Sequence, residues 1–142
     1  MIVLLEHMDY FVWRTGVRGA HSPLEEALGE NNASGGARNC LVAYTTVESG
    51  EEQAGKLAKI AGKAARNVHC IARELGVEAV VVFPFAHSPV TPATPRASLQ
   101  TIVAFAAQLR DLSKGDYAVL RAPFGSHKIR EGRILGTRRQ YY

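Results

Sequence analysis

Residues Ala79 to Pro95 read AVVVFPFAHSPVTPATP, and this stretch decides the fold class. Its first five residues, Ala79 to Phe83, are apolar without alternation. A run that short and continuous predicts a strand covered on both faces, the mark of an α/β sheet. Its second half carries Pro84, Pro89, Pro92 and Pro95 and reads as a stiffened loop holding His87. Loops leaving the carboxyl ends of such strands are where α/β proteins place their sites. A second segment repeats the design. Val119 to Lys128, VLRAPFGSHK, is an apolar strand that ends in Pro-Phe, then Gly, then polar and basic residues. The two Pro-Phe ends are expected to form two walls of one pocket.

The remaining elements follow from the same kind of reading. Ile2 to Glu6 predicts a central strand, and Phe11 to Trp13 either continues it or pairs back as a second one. A bend at the intervening His-Met-Asp would put His7 and Asp9 at a strand end. Arg14 to Arg38 is polar and glycine-rich. A short helical turn is expected from Ser22-Pro23-Leu24-Glu25, by its cap and first-turn residues, and a mobile tip around 31–36. Asn39 to Glu48 is β-branched and apolar and predicts a strand. A long helix, capped by Ser49, is expected over 51–75, with Leu57, Ile60, Ala61, Ala64, Val68, Ile71 and Leu75 on one face and Gly76 as its C-cap. Its other face carries Lys56, Lys59, Lys63, Arg66 and Arg73, which suits a solvated surface or an RNA footprint. Thr94-Pro95 starts a second helix reaching about Leu112. Asp116 to Ala122 is the next strand, and KIREGRIL (128–135) reads as a terminal hairpin around Gly132. The order βββαβαββ gives one α/β domain, a mixed β-sheet with two main helices packed on one face.

Composition narrows the function. The chain has 142 residues, enough for one core. A net charge of +4 permits an anionic partner. No apolar run reaches the roughly 18–20 residues of a membrane helix, and the first residues lack the basic and small-residue features of a leader. A cytoplasmic location is expected. Cys40 and Cys70 form no zinc or disulfide framework and read as buried free thiols. The signatures GxSxG, GxxxxGK[ST], GxGxxG and HExxH are all absent. His7, His87 and His127 lack metal-ligand spacing, so no metal and no cofactor is expected. Lys128, following Pro-Phe-Gly at a predicted strand end, could hold a phosphate, polarise a carbonyl or orient a water.

The segments PFAHSP (84–89) and APFGSHK (122–128), with VLLEHMDY (3–10) and LVAYTTVE (41–48), resemble the N-terminal editing domain of archaeal threonyl-tRNA synthetases. The resemblance spans the chain in order and implies one editing domain over 1–142. It implies a fold similar to D-aminoacyl-tRNA deacylases, comparable homodimers, and hydrolysis of serine wrongly esterified to threonine tRNA. The synthetase itself would be a partner, in cis or in trans. The resemblance further implies that Lys128 and His87 are catalytic. Val47, Pro84, Phe85, Ala86, Phe124 and His127 would line the pocket, with His7 and Asp9 nearby. Two departures stand out. Ser126 and His127 replace a pair of aromatic residues frequent in the family, and Thr137 falls where the family can carry a Glu. D-aminoacyl-tRNA deacylation, or tRNA 3′-end binding without hydrolysis, are the alternatives.

Overall fold

The computed structural model describes residues 1–16, 24, 26–28, 32–85 and 90–135. Eight elements follow one another: β1 (Ile2–Thr15), β2 (Ser34–Thr46), α1 (Ser49–Gln53), α2 (Leu57–Leu75), β3 (Ala79–Pro84), α3 (Pro95–Ser113), β4 (Ala118–Arg121) and β5 (Lys128–Ile134). They build one mixed sheet in the order β4-β3-β2-β1-β5. β2, β3 and β4 are parallel, while β1 is antiparallel to both β2 and β5.

β3 is an interior strand, flanked by β4 and β2, and both of its faces are dry, as its unbroken apolar run demands. Val80 and Val82 point to the helix side, where they join Leu41, Ala43, Ala61, Ala65, Val68, Ile102, Phe105 and Leu109. Val81 and Phe83 point the other way and join Met8, Phe11, Trp13, Cys40, Val42 and Ala122. α2 and α3 cover the first face. The second is covered by the β1–β2 hairpin itself. Register places Leu4 opposite Tyr44 and Tyr44 beside Phe83. In a straight strand Phe11, seven residues beyond Leu4, would lie about 23 Å from that row. Its ring centroid is instead 5.6 Å from that of Phe83 and 6.5 Å from that of Tyr44. The far half of the hairpin therefore folds back over the sheet.

The bend has an identifiable cause. The β1–β5 register shifts between Met8 and Tyr10, and Asn39 on β2 takes a positive φ of 41°. A bulge of this kind inserts a residue, tightens the twist and swaps the faces. Met8 and Cys40 are inward before it, and Phe11, Trp13 and Ala37 after it. Gly132 of β5 pairs with Phe11 at this crowded place. A Cβ there would strike Met8 Cε and sit 2.9 Å from the Tyr10 carbonyl oxygen.

Several expectations are corrected. Of the two courses expected for Phe11–Trp13, the chain takes the first and continues β1, so His7 and Asp9 lie within the strand and not at its end. The residues 128–135 form no hairpin; they are the edge strand β5 and its exit. Gly132 serves close packing, not a turn. Residues 34–36 are strand rather than loop tip, because Gly35 leaves room for the Trp13 ring. The long helix expected over 51–75 is two, since Gly55 at φ 64° ends α1, whose N-cap is Glu48 rather than Ser49. The Met1 ammonium binds the carboxylates of Glu48, at 2.8 Å, and Glu51. Cys70 is exposed, and only Cys40 is a buried thiol. The His69 ring Nδ1 lies 2.8 Å from the Tyr117 hydroxyl, to which it is hydrogen-bonded. Gly76 caps α2 at φ 64°, and Thr94 caps α3 through the Ala97 N–H, as expected. The helix expected at 22–25 lies outside the described residues, Leu24 apart. No described helix is long and apolar enough to cross a membrane.

Candidate active site

β3 and β4 are parallel neighbours, so their carboxyl ends open at the same end of the sheet. The Ala122 N–H still donates to the Val82 carbonyl at 2.9 Å, and each chain then leaves through Pro-Phe. Proline lacks the N–H a ladder needs, which ends the β3–β4 ladder, while β3 stays paired with β2 through Pro84. The two Pro-Phe ends are thereby set side by side. Phe85 is fixed by its N–H to the Thr45 carbonyl, 3.0 Å, and by the Thr46 hydroxyl, which donates to its carbonyl. Gly125, at φ 85°, supplies the left-handed turn that sends the chain from Phe124 towards β5.

Lys128 opens β5 opposite Thr15 on the folded-back part of β1. That position carries its amine to the β3 floor, 5.5 Å from the centroid of the Phe83 ring. Nζ donates to the Ser126 carbonyl at 2.9 Å. Two residues on, Arg130 faces the same way. Its guanidinium lies 5.2 Å from the Tyr44 ring, 5.7 Å from Phe83 and 5.6 Å from Phe85. Two cations thus rest on an aromatic floor, where the ring faces attract them. Burial pushes the Lys128 amine down to about 8, against an opposing pull from Glu26. Beside it, the Ser126 and Thr15 hydroxyl oxygens are buried and without a hydrogen-bond partner among the described residues.

Glu26 is a member of this neighbourhood that sequence reading missed. Its carboxylate grips Arg121 with both oxygens, at 2.6 and 2.5 Å, and accepts the Phe124 N–H at 3.1 Å. Its own N–H donates to the Phe124 carbonyl at 3.0 Å. These bonds, Arg121 foremost, hold its carboxyl below the usual range although burial opposes them.

The other expected site residues divide. Pro84, Phe85, Phe124 and Lys128 gather at the strand ends. His127 is exposed, and its carbonyl accepts the Gly16 N–H at 2.8 Å. Val47 is buried in the helix-side core, its carbonyl taken by the Ala93 N–H at 2.8 Å. Its side chain is therefore packing and not an open wall. His7 lies on the helix side of the sheet, with Nε2 2.9 Å from Asn39 Oδ1. Asp9 is exposed, 3.7 Å from Arg133. No described contact brings either to Lys128, because the bulge turns their stretch of β1 away. Asp9 instead lines an open concavity of about 630 Å³ on the outer side of the hairpin, with Tyr10, Val12 and Arg38. Ala86 and His87 lie outside the described residues. The basic residues expected along α2, among them Lys59, Lys63 and Arg66, are exposed.

Comparison with known proteins identifies the family. The family profile described as the archaea-specific editing domain of threonyl-tRNA synthetase matches residues 1–134. A threonine–tRNA ligase from Hyperthermus butylicus is 31% identical over 90% of this chain and 20% of its own length. One from Pyrobaculum neutrophilum is 32% identical over 96% of this chain and 20% of its own. The threonine–tRNA ligase editing subunit of Saccharolobus solfataricus is 30% identical over 90% of this chain and 30% of its own. The chain thus spans 20–30% of the length of these relatives. With the matched profile covering all but the last eight residues, the chain belongs to the archaea-specific editing domains of threonyl-tRNA synthetase, and its role is aminoacyl-tRNA editing.

Proposed function

We propose that the chain hydrolyses L-serine wrongly esterified to threonine tRNA, as a module working with the synthetase in cis or in trans. The observation that carries this reading is the half-buried Lys128 amine over Phe83, the residue before the first of two adjacent Pro-Phe strand ends. An ester needs little from the protein beyond a held water, a positive group near the developing oxyanion and tight positioning. Water adds to the ester carbonyl carbon, and the tetrahedral oxyanion forms beside the Lys128 ammonium. Collapse breaks the bond to the ribose oxygen of the terminal adenosine, which takes up a proton, and free serine leaves. The tRNA's own vicinal hydroxyl lies next to the reacting ester and can help to place the water. No side-chain nucleophile is required, which accounts for the missing triad and elbow motifs.

The logic of a second site supports serine as the substrate. A synthetic pocket built for threonine rejects serine by only about 1–3 kcal/mol, the value of one methyl group. A smaller hydrolytic site that excludes the extra methyl restores fidelity. Such a sieve needs rigid walls, and Pro84, Pro123 and the hydrogen-bonded backbone of Phe85 and Phe124 are rigid.

The test is single-turnover deacylation of Ser-tRNA(Thr), Thr-tRNA(Thr) and a D-aminoacyl ester by the wild type and by Lys128→Ala. Faster cleavage of the seryl ester is expected, with a loss of about 10²–10³ in rate for the variant, the usual cost of one oxyanion-stabilising group. Equal cleavage of the seryl and threonyl esters, preference for the D-ester, or undiminished activity of Lys128→Ala would overturn the proposal.

A further inference from the structure

We infer that Glu26 is a positioning residue of this site: its carboxylate fixes the Pro123–Phe124 turn that leads to Lys128, and its charge is set against the Lys128 amine. The inference rests on the reading of Lys128 given above, and it assigns a role to a residue far from either Pro-Phe segment in sequence.

Glu26 is built into place rather than lying on a surface. Its side chain is 20% exposed and that of its partner Arg121 is 16% exposed. The carboxylate takes three donors, two from Arg121 and one from the Phe124 backbone, and the Glu26 N–H returns a bond to the same residue. A two-oxygen grip on a guanidinium fixes direction as well as distance. Arg121 is the last residue of β4, so the clamp ties the turn over 122–127 to the sheet. That turn includes the Ser126 carbonyl, which holds the Lys128 amine at 2.9 Å.

The charges around Lys128 can be named by element. β5 brings Arg130, which shares the Phe83 ring. β4 brings Arg121, occupied by Glu26. β1 brings the uncharged Thr15, and β3 brings Phe83. The segment 26–28 brings Glu26, which opposes the effect of burial on the amine. Without the Glu26 charge, Lys128 would share the Phe83 ring with the Arg130 guanidinium and have no anion among these groups. It would then release its proton more readily, and the ammonium needed at the oxyanion would be lost at a lower pH.

Two variants of opposite sign test this. Glu26→Gln keeps the shape and removes the negative charge. Arg121→Gln removes the positive charge and leaves the carboxylate. In the isotope-labelled full chain, the Lys128 side-chain resonance is identified by its absence in Lys128→Arg and titrated by NMR. The wild-type midpoint is expected near 8. Glu26→Gln should lower it by about half a unit and Arg121→Gln should raise it by a similar amount, as one unit charge nearby would. Glu26→Asp should restore the wild-type midpoint. The high-pH limb of the deacylation profile should move with each midpoint, in kcat more than in KM. A clamp that merely held the fold would move both variants the same way. Midpoints unmoved in folded Glu26→Gln, or moved in one direction by both variants, overturn the inference. If Glu26→Gln does not fold, the Arg121→Gln shift decides alone, and no rise refutes it. Retention of activity in Lys128→Ala would strike the proposed reaction, while the titration of Lys128 would still judge Glu26 by itself.

Discussion

Phe11→Ala is the sharpest probe of the folded-back hairpin. Phe11 is 1% exposed. Its ring stands edge-on to Phe83 at 5.6 Å and to Tyr44 at 6.5 Å, and is tilted against Trp13 at 6.3 Å. Truncating a buried Phe costs about 3–5 kcal/mol through lost burial and the cavity left behind. Edge-on aromatic pairs add about 0.5–1.5 kcal/mol each beyond area, which argues for the upper half of that range. About 4 kcal/mol is therefore expected. With a urea slope of about 2 kcal/mol/M for a domain of this size, the midpoint should fall by about 2 M.

A stability loss alone would not locate the effect, so a control is needed on the other side of the sheet. Leu109 of α3, fully buried in the helix-side core, loses about 2–5 kcal/mol as Leu109→Ala. Both variants would be assayed for seryl-tRNA deacylation at low temperature, with each rate divided by the folded fraction measured in the same buffer. Leu109→Ala should keep its rate per folded molecule. Phe11→Ala should lose at least tenfold, because the strand that presents Lys128 rests on the hairpin that Phe11 pins down. A loss of under 1 kcal/mol in Phe11→Ala, or equal specific activities in the two variants, would refute the claim that this hairpin seats the site.

The depressed Lys128 proton affinity has a signed consequence for stability. Near 8 in the folded chain and 10.5 in the free side chain, the amine binds fewer protons folded than unfolded between those values, so its contribution to stability rises with pH across that window. Lys128→Met should thus be more stable than wild type at pH 7, by about 1 kcal/mol once partial solvent access is allowed for. That margin should disappear by about pH 10.5 in urea melts, and a margin that persisted would count against a desolvated amine. Gly132→Ala should cost about 1–3 kcal/mol by overpacking against Met8 and the Tyr10 carbonyl. Gly50→Ala, which meets nothing within 4 Å, should instead gain roughly 0.5 kcal/mol by improved helix propensity in α1. Thermal melts of both variants check the pair, and equal shifts would show that space at Gly132 is not limiting.

Local signals carried the parts of the fold that depend on local chemistry. The unbroken run at 79–83 announced a doubly covered strand, and Gly76 and Thr94-Pro95 marked helix ends by backbone and capping chemistry that needs no distant partner. The misread parts depend on what the chain meets elsewhere. Gly35 and Gly132 look like turn residues in isolation, yet each is small because Trp13 or Met8 lies against it. The His-Met-Asp interruption looked like the end of a strand because a bulge reverses the alternation without breaking the ladder. The same division holds at the site. Lys128 and the Pro-Phe pair were legible since each sits in a short motif at a strand end. Glu26 was not, because its meaning comes from Arg121, ninety-five residues away, and no spacing within its own polar segment records that pairing.

That no described helix covers the second face of the sheet explains why the candidate site lies where it does. A doubly covered β3 needs apolar atoms against Val81 and Phe83. Here they come from β1, which bends at its bulge and brings Phe11 and Trp13 down onto them. β1 carries β5 on its free edge, so the movement that dries the core also lowers Lys128 and Arg130 onto the rings of Phe83, Tyr44 and Phe85. Closing the core and assembling the cationic floor are one event. Substitutions at the bulge, at Gly35 or at Gly132 should then alter stability and the placement of Lys128 together, whereas changes among α2, α3 and the helix-side core should alter stability alone.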